Sequence, residues 1–151
     1  MDNPYKLGKD CVYTVYQDEV KYSKASWVNV AGMSVDVHYP GRKLILCSIC
    51  LGAASHANVG FRFVDHDGKP FPPMRQKTNT REPVHFSYEP PTQSAEDLAV
   101  VTFHLIADVE KKVQLQVRVD DSATICINSI DDQRDRPYNH MTISTLTVIS
   151  L

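Results

Sequence analysis

Apolar and polar residues alternate over short spans of this chain, and turn residues separate the spans. The clearest span is KVQLQVRV at 112–119, where Val113, Leu115, Val117 and Val119 share one side of an extended strand and Gln114, Gln116 and Arg118 the other. In NVGFRFV (58–64), Val59, Phe61 and Phe63 fall together, and the Asp65-His66-Asp67-Gly68 that follows carries the Asp-Gly pair of a tight hairpin end. Residues 27–39 hold two alternating pieces around Ala31-Gly32, where a bulge or sheet-switching bend suits the glycine. Asp120-Asp121-Ser122 reads as a turn, and ATICIN after it as a strand whose Ile125 and Ile127 repeat the inward side, so 112–119 and 123–128 are expected to pair as a hairpin. The β-branched MTISTLTVISL predicts a terminal strand. Residues 69–98 are proline-rich, with only a short strand at 84–88, and predict loop and edge. No segment longer than ten residues keeps a helical period, so there are no helices for parallel crossovers. The pattern predicts an all-β, antiparallel sandwich or jelly roll of about eight strands, with residues 1–24 as an arm and first strand and 25–151 as the body of a single domain.

Three spans are apolar on both sides. In KLILCSIC, Leu44, Leu46 and Cys50 lie opposite Ile45, Cys47, Ile49 and, just beyond, Leu51. Val101, Phe103 and Leu105 lie opposite Val100 and Ile106, and Leu146 and Val148 opposite Met141, Ile143, Ile149 and Leu151. A two-layer sandwich covers one side of each sheet, so the second side must meet a loop, a neighbouring chain or water. The sequence points to a neighbouring copy, with Met141, Ile143, Ile149, Leu151, Ile45, Ile49, Val100 and Ile106 as interface candidates. A standard contact hides ~800 Å² per subunit; if half is apolar, that is on the order of 10 kcal/mol before association costs. The competing expectation is that the proline-rich loops cover these strands.

A chain of 151 residues suits one domain, and a net charge of -2 supplies no broad cationic field, so no nucleic acid is expected as partner. The opening MDNPYKLGKD lacks the features of a secretory leader, and no apolar run approaches the ~20 residues that span a bilayer, so neither export nor a membrane is expected. Cys11, Cys47, Cys50 and Cys126 are then expected to be buried free thiols. Cys47 and Cys50, three apart on a strand, face opposite ways and cannot grip one metal ion. Asp65-x-Asp67-Gly68 is half a calcium loop, but Lys69 and Gln76 stand where further ligands belong, which leaves a solvent turn. None of the six histidines stands two residues from another, as a cupin metal site wants; His85 and His104 are the pair left to consider. With no nucleophile elbow and no phosphate loop, no enzyme activity and no cofactor are expected.

The order SWVNVAGMSVDV, LILCSICLG, GFRFVDHDGKP, VTFHLIAD, VQLQVRV, ICINS and TISTLTVISL resembles trimeric jelly-roll structural proteins of tailed bacteriophage virions, whose folds are like the tumour necrosis factor and complement globular heads. Gly60-Phe61-Arg62 leading into the Asp67-Gly68 turn, and Ser144-Thr145-Leu146-Thr147, carry it most. The proline-rich middle departs from the family, as do Ser150 and Leu151, where an acidic residue and a final isoleucine often stand. The resemblance implies a homotrimer with the terminal strand near the axis and no catalytic residues. Since about twenty residues precede the first matching strand and none follow the last, a free-standing head is expected rather than a fibre. The expectation is therefore a capsid decoration (cement) protein on the capsid exterior, assembled in the host cytoplasm and partnered by the major capsid protein or other virion proteins. Contact would run through residues 1–24 or 70–91, with Tyr5, Lys6, Arg75, Lys77 and Arg81 as candidates. The alternatives are a receptor- or glycan-binding head using Trp27, Tyr88 or Tyr138, and a cupin-like metalloenzyme.

Overall fold

The structure, a computed structural model, describes residues 11–16, 20–23, 25–53, 58–71, 86–88, 98–119, 124–128 and 143–151. These form ten strands and, among the described residues, no helix: β1 (Cys11–Tyr16), β2 (Val20–Tyr22), β3 (Val28–Asp36), β4 (Gly41–Ala53), β5 (Val59–Val64), β6 (Phe86–Tyr88), β7 (Leu98–Val109), β8 (Lys112–Val119), β9 (Ile125–Ile127) and β10 (Ser144–Ser150). The chain is an all-β jelly-roll sandwich of two antiparallel sheets.

β4 is the spine of the first sheet. One flank pairs with β7 from Gly41 to Gly52, and the other is shared end to end by β10, against Lys43 to Ser48, and β9, against Leu51 to Ala53. β1 lies outside β10, and β2 outside β9. The second sheet runs β3, β8, β5, β6. Between the sheets, Phe61 and Phe63 of β5 meet Phe103 of β7 at ring-centroid distances of 5.7 and 5.3 Å. Val113, Leu115, Val117 and Val119 are buried at alternate positions, as the pattern of β8 predicts. They close the core with Ile45, Ile49, Leu146 and Val148.

The bend at Ala31-Gly32 is a bulge: the β3–β8 register shifts between Asn29 and Ser34, and Gly32 has φ 75°. A bulge frees backbone groups that the ladder would otherwise satisfy, and here side chains take them. Gln114 Nε2 donates to the carbonyls of Val30, Met33 and Leu115 at 3.1, 3.1 and 2.8 Å. Thr14 of β1 donates to Gly32 O at 3.1 Å, and the Ala31 N–H donates to the Tyr22 hydroxyl at 3.2 Å, so the bulge also ties the two sheets together. The Asp65–Gly68 turn forms as expected. Gly68 has φ 78°, and Asp65 Oδ1 accepts the N–H groups of Asp67 and Lys69 at 2.8 and 2.9 Å.

The expected hairpin between 112–119 and 123–128 does not form. Both flanks of β8 are occupied, by β3 and β5, so β9 crosses to the other sheet and pairs with β4 and β2. There Ile125, Cys126 and Ile127 are all buried. The expectation of four buried thiols is also corrected. All four are free, but Cys11 is exposed, because it faces outward on an edge strand.

Candidate functional site

The register of the first sheet sets out its outer face in rows. One row reads Cys11, Ile149, Leu44, Ile106 across β1, β10, β4 and β7; the next Tyr13, Thr147, Leu46, His104; the third Val15, Thr145, Ser48, Thr102. None of these twelve positions holds Asp, Glu, Lys or Arg, although such residues make up 23% of the chain and crowd most surfaces. Several of the side chains are open: Tyr13 is 70% exposed, Ile106 48% and Val15 45%. Val100 continues the face along β7 at 70% exposure. At one rim charge returns, where Arg42 of β4 pairs in register with Asp108 of β7.

The second sheet's outer face is built oppositely. Its row Asn29, Gln116, Arg62 is a hydrogen-bonded ladder: Arg62 Nε donates to Gln116 Oε1 and Gln116 Nε2 to Asn29 Oδ1, both at 2.8 Å. The Arg62 guanidinium lies 4.3 Å over the Trp27 ring. Lys112 and Arg118 carry charge along the same side of β8. This face is made for water, and the first sheet's is not.

Of the interface candidates, Val100, Ile106 and Ile149 lie on the uncharged face, and Ile143 and Leu151 are exposed at the two ends of β10. Ile45 and Ile49 do not belong there. Both are fully buried and point into the core, so the outward side of β4 is Leu44, Leu46 and Ser48. Met141 and the capsid-contact candidates Tyr5, Lys6, Arg75, Lys77 and Arg81 lie outside the described residues. So do His85, Tyr138 and the side chain of Tyr88; Trp27 is half-buried under Arg62.

Two polar features inside the fold escape sequence reasoning. Where β9 ends and β10 begins, Asn128 adopts φ 60° and donates its N–H to Cys50 O at 2.9 Å. The buried Ser144 hydroxyl donates to Asn128 Oδ1 at 2.7 Å and accepts the Cys50 N–H at 3.1 Å. Three strands are thus stapled at the point where the flank of β4 changes partner. At the other end of β4, Lys43 is buried with the core-facing residues and donates from Nζ to Ser150 Oγ at 2.6 Å. The only signal for the first was an asparagine, tolerant of positive φ, directly after an apolar strand.

The chemistry available is limited. Among the described residues, Asp65, His66 and Asp67 group closely enough to hold a metal ion, but they are largely exposed and Asp65 Oδ1 is engaged in shaping its turn. Burial pushes the Cys47 thiol well up and raises that of Cys50, which suppresses the thiolate that metal binding or nucleophilic attack requires.

No protein-family model and no curated protein sequence matches this chain. Among solved structures it is similar to Eiger TNF from S. frugiperda, with a TM-score of 0.49 and 11% identity over 93% of this chain and 92% of that one. It is also similar to a chain of infectious bursal disease virus, Gt strain, at TM-score 0.47 and 8% identity; 92% of this chain is covered but only 37% of that one. A carbohydrate-binding module from Cellvibrio mixtus lichenase 5A aligns at TM-score 0.37 and 11% identity, over 95% of this chain and 91% of that module. Likeness at this level carries no functional information.

Proposed function

We propose that this chain is a non-enzymatic structural protein that assembles with copies of itself, a homotrimer decorating the capsid exterior of a tailed bacteriophage. The uncharged outer face of the first sheet carries the self-association. Four strands ~4.8 Å apart and three rows ~6.8 Å apart give about 400 Å², roughly half of what one partner brings to a standard contact, so the face serves as the centre of an interface completed by its surroundings. A partner recognised through charge finds nothing to pair with on those twelve positions, whereas a second copy brings matching apolar side chains. The virion assignment and the threefold symmetry draw their support from the order of strand motifs in the sequence; clamping of neighbouring capsid subunits against internal pressure would be the role.

The test begins with sedimentation equilibrium, which should return three times the 17.0 kDa chain mass. Ile106→Asp, at a half-exposed position that tolerates a charge in the single subunit, should leave the fold intact and reduce the mass to one chain. Wild-type protein should then bind and protect capsids lacking it, and the variant should not. A solitary wild-type chain at high concentration would end the proposal; a trimer that ignores capsids would end only its virion part.

A further inference from the structure

His104 stands near the middle of the uncharged face, in register with Leu46, Thr147 and Tyr13 across the sheet and flanked along β7 by Thr102 and Ile106. Resting on the self-association proposed above, we infer that His104 makes that association pH-dependent, subunits holding together near neutrality and separating in mild acid.

Among the described residues, the row of His104 and the rows on either side of it hold no formal charge. Elements packed beside β7 on this face bring Leu44, Leu46 and Ser48 from β4; Thr145, Thr147 and Ile149 from β10; and Cys11, Tyr13 and Val15 from β1. Of these, only Cys11 and Tyr13 are titratable, and thiols and phenols are ordinarily neutral below pH 7, whereas an imidazole ordinarily changes charge between pH 5 and 8. The first formal charges in register are Arg42 and Asp108, two rows from His104 and paired with each other across β4 and β7. Among the described residues, no carboxylate on the face is therefore placed to compensate an imidazolium there.

In the separated subunit the His104 side chain is exposed, and water hydrates either form. Against a second copy's uncharged face it would exchange water for a surface that offers no formal charge, and loss of water disfavours the charged form. The sign follows. The assembled state binds fewer protons than the separated one, so falling pH favours separation. Each subunit then loses up to ~10-fold in association per pH unit below the ordinary imidazole pKa of ~6.5, up to ~1000-fold for a trimer.

Sedimentation equilibrium at pH 7.5, 6.5 and 5.5, with circular dichroism confirming the fold at each, tests this on wild type, His104→Gln and His104→Phe. Wild type should drop from three chains to one across the series while both variants stay assembled. Wild type remaining trimeric at pH 5.5, or both variants separating in step with it, would overturn the inference and leave self-association standing. A wild-type monomer already at pH 7.5 would overturn the two together. Phenylalanine keeps a ring without the proton, so a weakened contact in His104→Gln alone does not obscure the outcome.

Discussion

Replacing Ser144 by alanine removes one oxygen and should cost far more than its size suggests. The hydroxyl is completely buried, donates to Asn128 Oδ1 at 2.7 Å and accepts the Cys50 N–H at 3.1 Å. Its removal takes a hydrogen bond from a buried amide oxygen and the acceptor from a backbone N–H, each at ~1–3 kcal/mol, or about 2–4 kcal/mol together after partial relaxation. That is a large share of a domain's usual ~5–15 kcal/mol, and at roughly 3 °C per kcal/mol for this size it lowers Tm by about 6–12 °C. Urea unfolding at fixed protein concentration is the assay, because self-association would otherwise shift the midpoint; the midpoint should fall with little change in m. Asn128→Gly supplies the partner experiment, since glycine keeps the positive φ but removes the acceptor. The double variant should cost less than the sum of the singles by ~0.5–2 kcal/mol. A loss under about 0.5 kcal/mol for Ser144→Ala, the range of ordinary surface substitutions, would refute the staple.

Gln114→Leu should destabilise by ~1–3 kcal/mol in the same assay, because the Val30 and Met33 carbonyls at the β3 bulge and the Leu115 carbonyl of β8 lose this donor. Gln114→Glu should be worse at neutral pH and recover as pH falls, since a carboxylate facing those carbonyls raises its folded-state pKa; stability is then lost as pH rises through it. A thiol-reactive dye should label one of the four cysteines quickly in the separated folded chain, Cys11, and the rest only on unfolding, because Cys47, Cys50 and Cys126 are buried. Cys11 shares a row with Ile149, Leu44 and Ile106, so it should label slowly in assembled wild type and fast in Ile106→Asp; equal rates would place the contact elsewhere.

Strands with one wet side were readable from the sequence, and those with two apolar sides were only half readable. The alternation of β8, the glycine bulge in β3 and the Asp-Gly turn all follow from local chemistry, and the structure has each of them. For β4 the period gave two sides without saying which faced the core. Lys43 shares its side with Ile45 and Ile49, and a lysine ordinarily marks water, yet here it is buried beside Ser150 and the side carrying Leu44 and Leu46 is the open one. The crossing of β9 between sheets depends on both flanks of β8 being filled, a condition set by strands far away in the chain. The uncharged face draws on four strands at once, so its members were legible singly while their meeting was not.

The Asn128–Ser144 bond fixes the departure and return of the intervening stretch at a single place on β4. Whatever the chain does between those two residues, β9 and β10 are already tied to β4 at the two ends of that stretch. Each doubling of the length between two such fixed ends costs only about 0.6 kcal/mol, so residues added between Asn128 and Ser144 should leave the stability of the sandwich almost unchanged.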